Sequence, residues 1–259
     1  MTDMEEVVRL ERVEPHVALV TLHRPQARNA VNGEVVARMQ EVIRATEADA
    51  DCRVVVLTGA GTVFCAGADL KAVAAGRMAE VRSPDGFGGF VFAARTRPWI
   101  AAVNGPALAG GLELALACEM IVASHEASFG MPEVKRSLVA GSGGLWRLPR
   151  SVPRVLAFRM ALTGRPITAQ DAERCGLVNA CVAAGDLLPT ALGLAREVAA
   201  CAPLAVRESM GVVRAAVLAG ERELRELAWA GVERVKASED FLEGPRAFVE
   251  KRAPRWRGR

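Results

Sequence analysis

The sequence predicts an α/β body followed by an all-helical C-terminal part, and three observations carry that reading. Short β-branched runs alternate with stretches of helical spacing over the first two-thirds of the chain. Glycine-bearing turns stand where these runs hand over to helices. From about Pro153 onward the pattern is helical almost throughout.

Taken in order, Val17 to Leu22 and Arg53 to Thr58 are apolar and rich in β-branched residues, so both read as strands. Between them, Gly33 to Ala48 sets Val35, Val36, Met39, Val42 and Ile43 at helical spacing. The glycine-rich stretch Gly76 to Gly89, with Ser83-Pro84-Asp85-Gly86 inside it, reads as a mobile loop over or beside the body. A second cycle runs from a strand, Trp99 to Val103, through the turn Asn104-Gly105-Pro106 to a short helix, Gly110 to Cys118, and a strand, Met120 to Ala123. Thr168 with Asp171 three residues on resembles a capping box, and Gly176 closes that helix. Glu221 to Lys236 places Leu224, Leu227, Ala228, Gly231, Val232 and Val235 on one stripe.

Composition narrows the function classes. With 259 residues, 51% of them apolar and 24% charged, the chain has material for one large core or a core with an appendage, and disorder is excluded. Apolar runs such as Leu114 to Cys118 fall far short of the roughly 18 residues of a membrane span. The acidic Met1 to Glu6 lacks the pattern of a targeting signal, so a cytoplasmic location is expected. Basic residues gather only between Arg246 and Arg259, a tail too short and interrupted for nucleic-acid binding, though able to meet a phosphorylated ligand. Otherwise it is a solvated face. Six cysteines and three histidines lack metal-ligand spacing, so buried free thiols and no metal are expected. Tyrosine is absent, which excludes any mechanism that needs a phenolic proton donor.

The chemistry concentrates in a few short segments. Gly110 to Cys118 is a helix apolar on all sides except for Glu113 in its first turn, so Glu113 should be a buried acid compensated by the free N–H groups of the helix N-terminus. A capping or ion-paired glutamate is the structural alternative. Glycine lets a ligand approach the Gly110 N–H, and a second turn, Phe64-Cys65-Ala66-Gly67-Ala68-Asp69-Leu70, also links a strand to a helix. Two such N–H groups would make an oxyanion hole, although tight packing explains either turn about as well. Phe129-Gly130-Met131-Pro132-Glu133 presents a second acid on a proline-stiffened loop, and two carboxyl groups suffice to add water to an activated alkene. Ala140-Gly141-Ser142-Gly143-Gly144 opens another helix whose N–H groups are placed to hold the attacking water, unless its glycines serve sterics alone.

In order and spacing, Ala66-Gly67-Ala68-Asp69-Leu70, Ala102-Val103-Asn104-Gly105, Gly110-Gly111-x-Glu113, Phe129-Gly130-x-Pro132-Glu133 and Gly141-x-Gly143-Gly144 resemble the motifs of the crotonase (enoyl-CoA hydratase/isomerase) superfamily. The likeness continues through Leu162-Thr163-Gly164-Arg165, Gly176-Leu177-Val178 and Gly244 to Arg252, nearly the whole chain. It implies a ClpP-like spiral of ββα units in an α/β core, residues 1–200, and a C-terminal helical trimerisation segment, 201–259, in a homotrimer or a hexamer of two trimers. It also implies Glu113 and Glu133 as the catalytic pair, Glu133 protonating the α-carbon and Glu113 helping to activate water. Ala66 and Gly110 supply the oxyanion N–H groups and Gly141 positions water on the same resemblance. Substrate contacts are expected from Ala68, Asp69, Leu70, Gly111 and Pro132, with Phe248 and Lys251 reaching CoA from a neighbouring subunit. No cofactor is expected, since CoA is part of the substrate. Ala109, Glu119 and Ser137 depart from the usual glycine, aspartate and glycine.

Hydration of a 2-enoyl-CoA is therefore the expected activity, in either direction. A Δ3,Δ2-enoyl-CoA isomerase often retains only one acid, whereas both are present here. The ending Ser238-Glu239-Asp240 to Lys251-Arg252 and Asp69-Leu70-Lys71-Ala72 look most like crotonobetainyl-CoA hydratases (carnitinyl-CoA dehydratases). A serine hydrolase at Ser142 lacks any downstream histidine. A dinucleotide fingerprint at Gly141 to Trp146 fails at its last position. An inactive CoA- or RNA-binding scaffold is disfavoured by the presence of both acids. The 76–92 region, expected to line the acyl pocket, has no readable specificity code.

Overall fold

The computed structural model describes residues 6–217 and 219–259; of the segment read for a targeting signal, all but Glu6 lies outside the described residues. The chain opens with an antiparallel hairpin of β1 (Val8–Glu14) and β2 (Val17–Leu22). Helix α1 (Gly33–Ala48) follows, its N-terminus capped by the Asn32 side chain, which accepts the Val35 N–H at 3.1 Å. It buries the five apolar residues expected of it. In β3 (Val54–Gly59) every residue is buried, because alternate side chains enter two different cores: Val55 and Leu57 join the main one, Val54 and Val56 a smaller one on the opposite face.

Then come α2 (Leu70–Ala74), a hairpin of β4 (Arg82–Ser83) and β5 (Gly86–Phe87), β6 (Trp99–Val103), β7 (Ala107–Leu108), α3 (Gly110–Leu116), β8 (Met120–Ser124) and β9 (Ser128–Gly130). The rest is α4 (Gly144–Ser151), α5 (Arg154–Thr163), β10 (Ile167–Thr168), α6 (Ala169–Arg174), β11 (Ala180–Val182), α7 (Leu187–Ala199), α8 (Pro203–Ala215), α9 (Glu221–Lys236) and α10 (Asp240–Val249).

The large sheet has the order β1-β2-β3-β6-β8-β11 and is parallel from β2 onward. A smaller sheet, β10-β9-β7, is prolonged by single bridges pairing Cys65 with Ala107 and Val31 with Ala68. Each turn of the chain thus lays one long strand in the large sheet and one short strand in the small one before entering a helix, which is a spiral of ββα units. The small sheet aligns the segments near Ala68, Leu108 and Gly130, and so positions the site. Helix α7 covers the other face of the large sheet with Leu187, Ala191, Ala195 and Ala199.

Three expectations are corrected. The region after Pro153 is not helical throughout, since β10 and β11 are built into the sheets; at two and three residues they are too short for a periodic signal. Gly76 to Gly89 is not an open loop but a 3-10 turn, Met78–Val81, and the β4–β5 hairpin, held down by the buried Val81 and Phe87. Of the thiols, Cys52 and Cys65 are buried, whereas Cys201 is exposed. The stripe on α9 is half-buried, with Gly231 fully covered where Glu208 of α8 packs against it and Val232 left exposed.

The C-terminal tail is tied back to the body. Arg53 donates to the carbonyls of Ala199 and Trp256, and the Trp256 indole N–H donates to the Ala200 carbonyl at 2.7 Å. The buried Asp240 carboxylate accepts the N–H groups of Arg257 and Gly258 at 2.7 and 2.8 Å. Among the described residues no single helix is long and apolar enough to cross a membrane.

Candidate active site

The turn after β3 sets which N–H groups face the cavity. Gly67 takes φ +93°, a conformation few side chains tolerate, and a Cβ added there would meet Ala109 Cβ at 2.9 Å and the Gly110 nitrogen at 3.3 Å. The Gly67 carbonyl and the Asp69 N–H both bond to Val31, so the N–H of Ala68 between them faces away from Val31, and Ala68 and Gly110 line the same cavity. Ala66, expected to be the oxyanion donor, gives its N–H to the Arg28 carbonyl at 3.1 Å. Its N–H is therefore engaged, and the available one at this turn is that of Ala68, for which no acceptor is found among the described residues. Gly110 opens α3, where a helix leaves its first N–H groups unpaired. A Cβ on Gly110 would lie 2.4 Å from the Phe87 ring, so glycine is required there.

Helix α3 is buried from Gly110 to Ala115, as expected for an all-apolar helix, and Glu113 is 3% exposed. Its compensation comes from elsewhere than foreseen. Glu113 Oε1 accepts the N–H groups of Ser142 (2.7 Å) and Gly144 (3.0 Å), from the turn that opens α4, not those of its own helix N-terminus. Burial pushes the Glu113 carboxyl up, opposed by those N–H groups and by the positive charges of Arg82 and Arg147. The Gly141 to Gly144 turn thus spends two N–H groups on the carboxylate, while Gly141 itself lines the cavity.

Pro132 opens a 3-10 turn, Pro132–Arg136, that carries Glu133, and Gly164 at the end of α5 packs beneath it: a Cβ on Gly164 would lie 3.0 Å from Pro132 Cα. Glu133 is 9% exposed and its Oε2 is buried without a hydrogen-bond partner. Burial pushes its carboxyl up, its own N–H opposes this, and the nearby Glu113 charge raises it further. The two acids are therefore unequal: one is held as an acceptor by main-chain donors, the other is left unpaired in an apolar setting.

A cavity of about 240 Å³ gathers Ala66, Ala68, Leu70, Gly110, Glu113, Pro132, Glu133 and Gly141. Four expected residues lie outside its lining. Asp69 caps α2 through the Lys71 N–H and pairs with Arg24 at 3.2 Å; partial burial raises its carboxyl, but these partners outweigh it and hold it low. Gly111 serves packing, since a Cβ there would come within 2.1 Å of the Cys65 carbonyl oxygen. Phe248, 85% exposed on α10, and Lys251 just beyond it do not line the cavity of their own chain. The lining also includes Ser142, weighed in the sequence only as a nucleophile, and Arg28, Val81, Arg82, Phe87 and Arg136, which sequence reasoning did not single out. The 76–92 region, expected at the acyl pocket, supplies Val81, Arg82 and Phe87 to this lining. Among the described residues no three His, Cys, Asp or Glu side chains converge as metal ligands.

A family model described as enoyl-CoA hydratase/isomerase matches residues 12–259. A carnitinyl-CoA dehydratase of Proteus mirabilis (strain HI4320) is 43% identical over 252 residues, covering 93% of this chain and 94% of that protein. An enoyl-CoA hydratase of Mycobacterium tuberculosis H37Rv superposes with a TM-score of 0.93 at 41% identity, covering 98% of this chain and 100% of that one. A carnitinyl-CoA hydratase of Mycobacterium avium superposes with a TM-score of 0.77 at 44% identity, over 98% of this chain and 99% of that one.

Proposed function

The chain belongs to the enoyl-CoA hydratase/isomerase family, and from that membership we propose that it adds water across the double bond of a 2-enoyl-CoA thioester or catalyses the reverse dehydration. The observation that carries the reading is the unequal pair of acids in one cavity. Glu113 is fixed as an acceptor by the N–H groups of Ser142 and Gly144, and the unpaired Glu133 is biased toward its protonated form. The N–H groups of Ala68 and Gly110 hold the thioester oxygen, which draws electron density from the alkene. Glu113 takes a proton from water as its oxygen attacks the β-carbon, and Glu133 delivers a proton to the α-carbon of the resulting enolate. The cycle closes when Glu113 releases its proton and Glu133 regains one by exchange with solvent, so the net reaction is substrate plus water and no cofactor beyond the CoA of the substrate is invoked. An isomerase needs only one proton-moving group, and two buried acids favour hydration over it.

The names of relatives favour a second reading, in which the acyl group bears the trimethylammonium of a carnitinyl thioester. Both readings use the same chemistry. We also assign the chain to a cytoplasmic homotrimer or hexamer, with an α/β core, 1–200, and a helical assembly segment, 201–259. The exposed Phe248 then contacts CoA bound to a neighbouring subunit, together with Lys251. Loss of the enoyl-thioester absorbance on incubation with crotonyl-CoA tests the activity; no turnover by the wild-type protein on any enoyl-CoA would overturn it.

A further inference from the structure

We propose that the acyl end of the cavity selects an enoyl-CoA whose acyl chain carries a carboxylate, with Arg82 as its partner. The inference rests on the hydratase reading and names the substrate class within it. Arg82 lies on β4 directly across from Phe87 on β5, so both side chains share one face of the hairpin. Phe87 packs on Gly110, and both Arg82 and Phe87 line the cavity. The Arg82 Nη2 atom is 3.7 Å from the position a Cβ would take on Gly141, which places the guanidinium beside the turn that holds Glu113.

This location falls on the acyl side. Arg28 lies at the Ala66 end of the lining, where its carbonyl accepts the Ala66 N–H, whereas Arg82 lies at the Gly141 turn that holds Glu113, and the oxyanion donors Ala68 and Gly110 belong to the same lining. A thioester oxygen on those donors, with its β-carbon facing Glu113, directs the remaining acyl chain past Glu113 toward Arg82. Arg82 is exposed at the rim, and among the described residues its guanidinium forms no ion pair or hydrogen bond, although its positive charge is felt by Glu113. An arginine fork with free donors fits a carboxylate bidentately.

A trimethylammonium group calls for the opposite lining, aromatic faces or a free anion. Among the described residues Phe87 is the one aromatic side chain lining the cavity, and the two acids there, Glu113 and Glu133, are committed to the reaction. Arg136 adds a further positive charge at the wall. The lining therefore repels a cationic acyl group and attracts an anionic one.

The test compares kcat/KM for crotonyl-CoA, crotonobetainyl-CoA and a 2-enedioyl-CoA ending in a carboxylate, with wild type, Arg82→Lys, Arg82→Gln and Arg82→Glu. Wild type is expected to favour the carboxylate substrate over crotonobetainyl-CoA by about tenfold or more, and Arg82→Glu to reduce that ratio by about a hundredfold. Arg82→Lys keeps the preference and Arg82→Gln removes it; ratios within each variant cancel any general loss of folded or active protein. A wild-type preference for crotonobetainyl-CoA, or a ratio indifferent to the charge at position 82, overturns the inference. Hydration of crotonyl-CoA in that case leaves the hydratase reading standing, whereas turnover of none of the three removes both.

Discussion

Glu113 Oε1 stands 2.7 Å from the main-chain nitrogen of Ser142, so the acid of one ββα unit is held by the opening turn of the helix that follows the next. The Gly144 N–H joins the same oxygen at 3.0 Å, and a Cβ at Gly144 would lie 3.2 Å from it. The carboxylate is thus oriented by groups that no change of its own helix can supply.

Glu113→Gln keeps an oxygen to accept both N–H groups but loses the base. Turnover of crotonyl-CoA is expected to fall by roughly a hundredfold or more. Stability should not fall with it. Because burial raises the carboxyl of the native protein, the folded state binds more protons than the unfolded one between the two pKa values, and stability drops as pH rises through that window. At neutral pH, beyond the ordinary carboxylate range, the variant should melt at the same or a higher temperature, checked by thermal denaturation beside the rate assay.

The pH profile of kcat/KM should show an acid limb above the usual carboxylate range, because Glu113 must be ionised and burial opposes that. Arg147 lowers the Glu113 carboxyl through its charge, donates to the Val91 carbonyl at 2.7 Å and has a buried Nη1 without a partner. Arg147→Met is expected to move the acid limb to higher pH. A limb that stays in place or moves down would show that Arg147 does not act on Glu113.

Ala109 is a non-glycine residue at φ +53°, ψ −127°, a region glycine alone occupies readily. Ala109→Gly should stabilise the protein by about 1 kcal/mol, the relieved strain exceeding the added freedom of the unfolded chain. Chemical denaturation measures this, and Ala109→Val should move the midpoint the other way.

The tail depends on Asp240, whose carboxylate accepts the Arg257 and Gly258 N–H groups. Asp240→Ala removes both bonds and should cost about 2 kcal/mol, with Asp240→Asn retaining part of it. Equilibrium unfolding of the full chain gives the difference, and faster proteolysis of 253–259 would place the loss in the tail.

Helix α5 leaves Val155 and Leu162 77% and 70% exposed, and α10 leaves Phe248 and Val249 85% and 78% exposed, an apolar surface that association would cover. Light scattering of the purified protein is expected to give the mass of three or six chains, and Leu162→Glu to shift it downward. A monomeric wild type would contradict the proposed assembly.

Local periodicity and spacing determined much of this protein. The helices Gly33–Ala48 and Glu221–Lys236 and the strands Val17–Leu22 and Trp99–Val103 fall where the apolar pattern puts them. The buried Glu113 is legible as well, because an acid on an all-apolar helix has nowhere else to go. Tertiary structure alone decided which N–H groups surround it. Residues two apart, such as Ala66 and Ala68, present their N–H groups to the same side of a regular strand, but Gly67 at φ +93° breaks that alternation, so the Ala66 N–H goes to the Arg28 carbonyl while the bridge to Val31 leaves the Ala68 N–H facing away from it. The donors on Glu113, and Arg82 at the acyl wall, likewise come from segments 25 or more residues away in the chain, whose approach is set by sheet order and by Phe87 seated on Gly110. No local pattern encodes such a meeting.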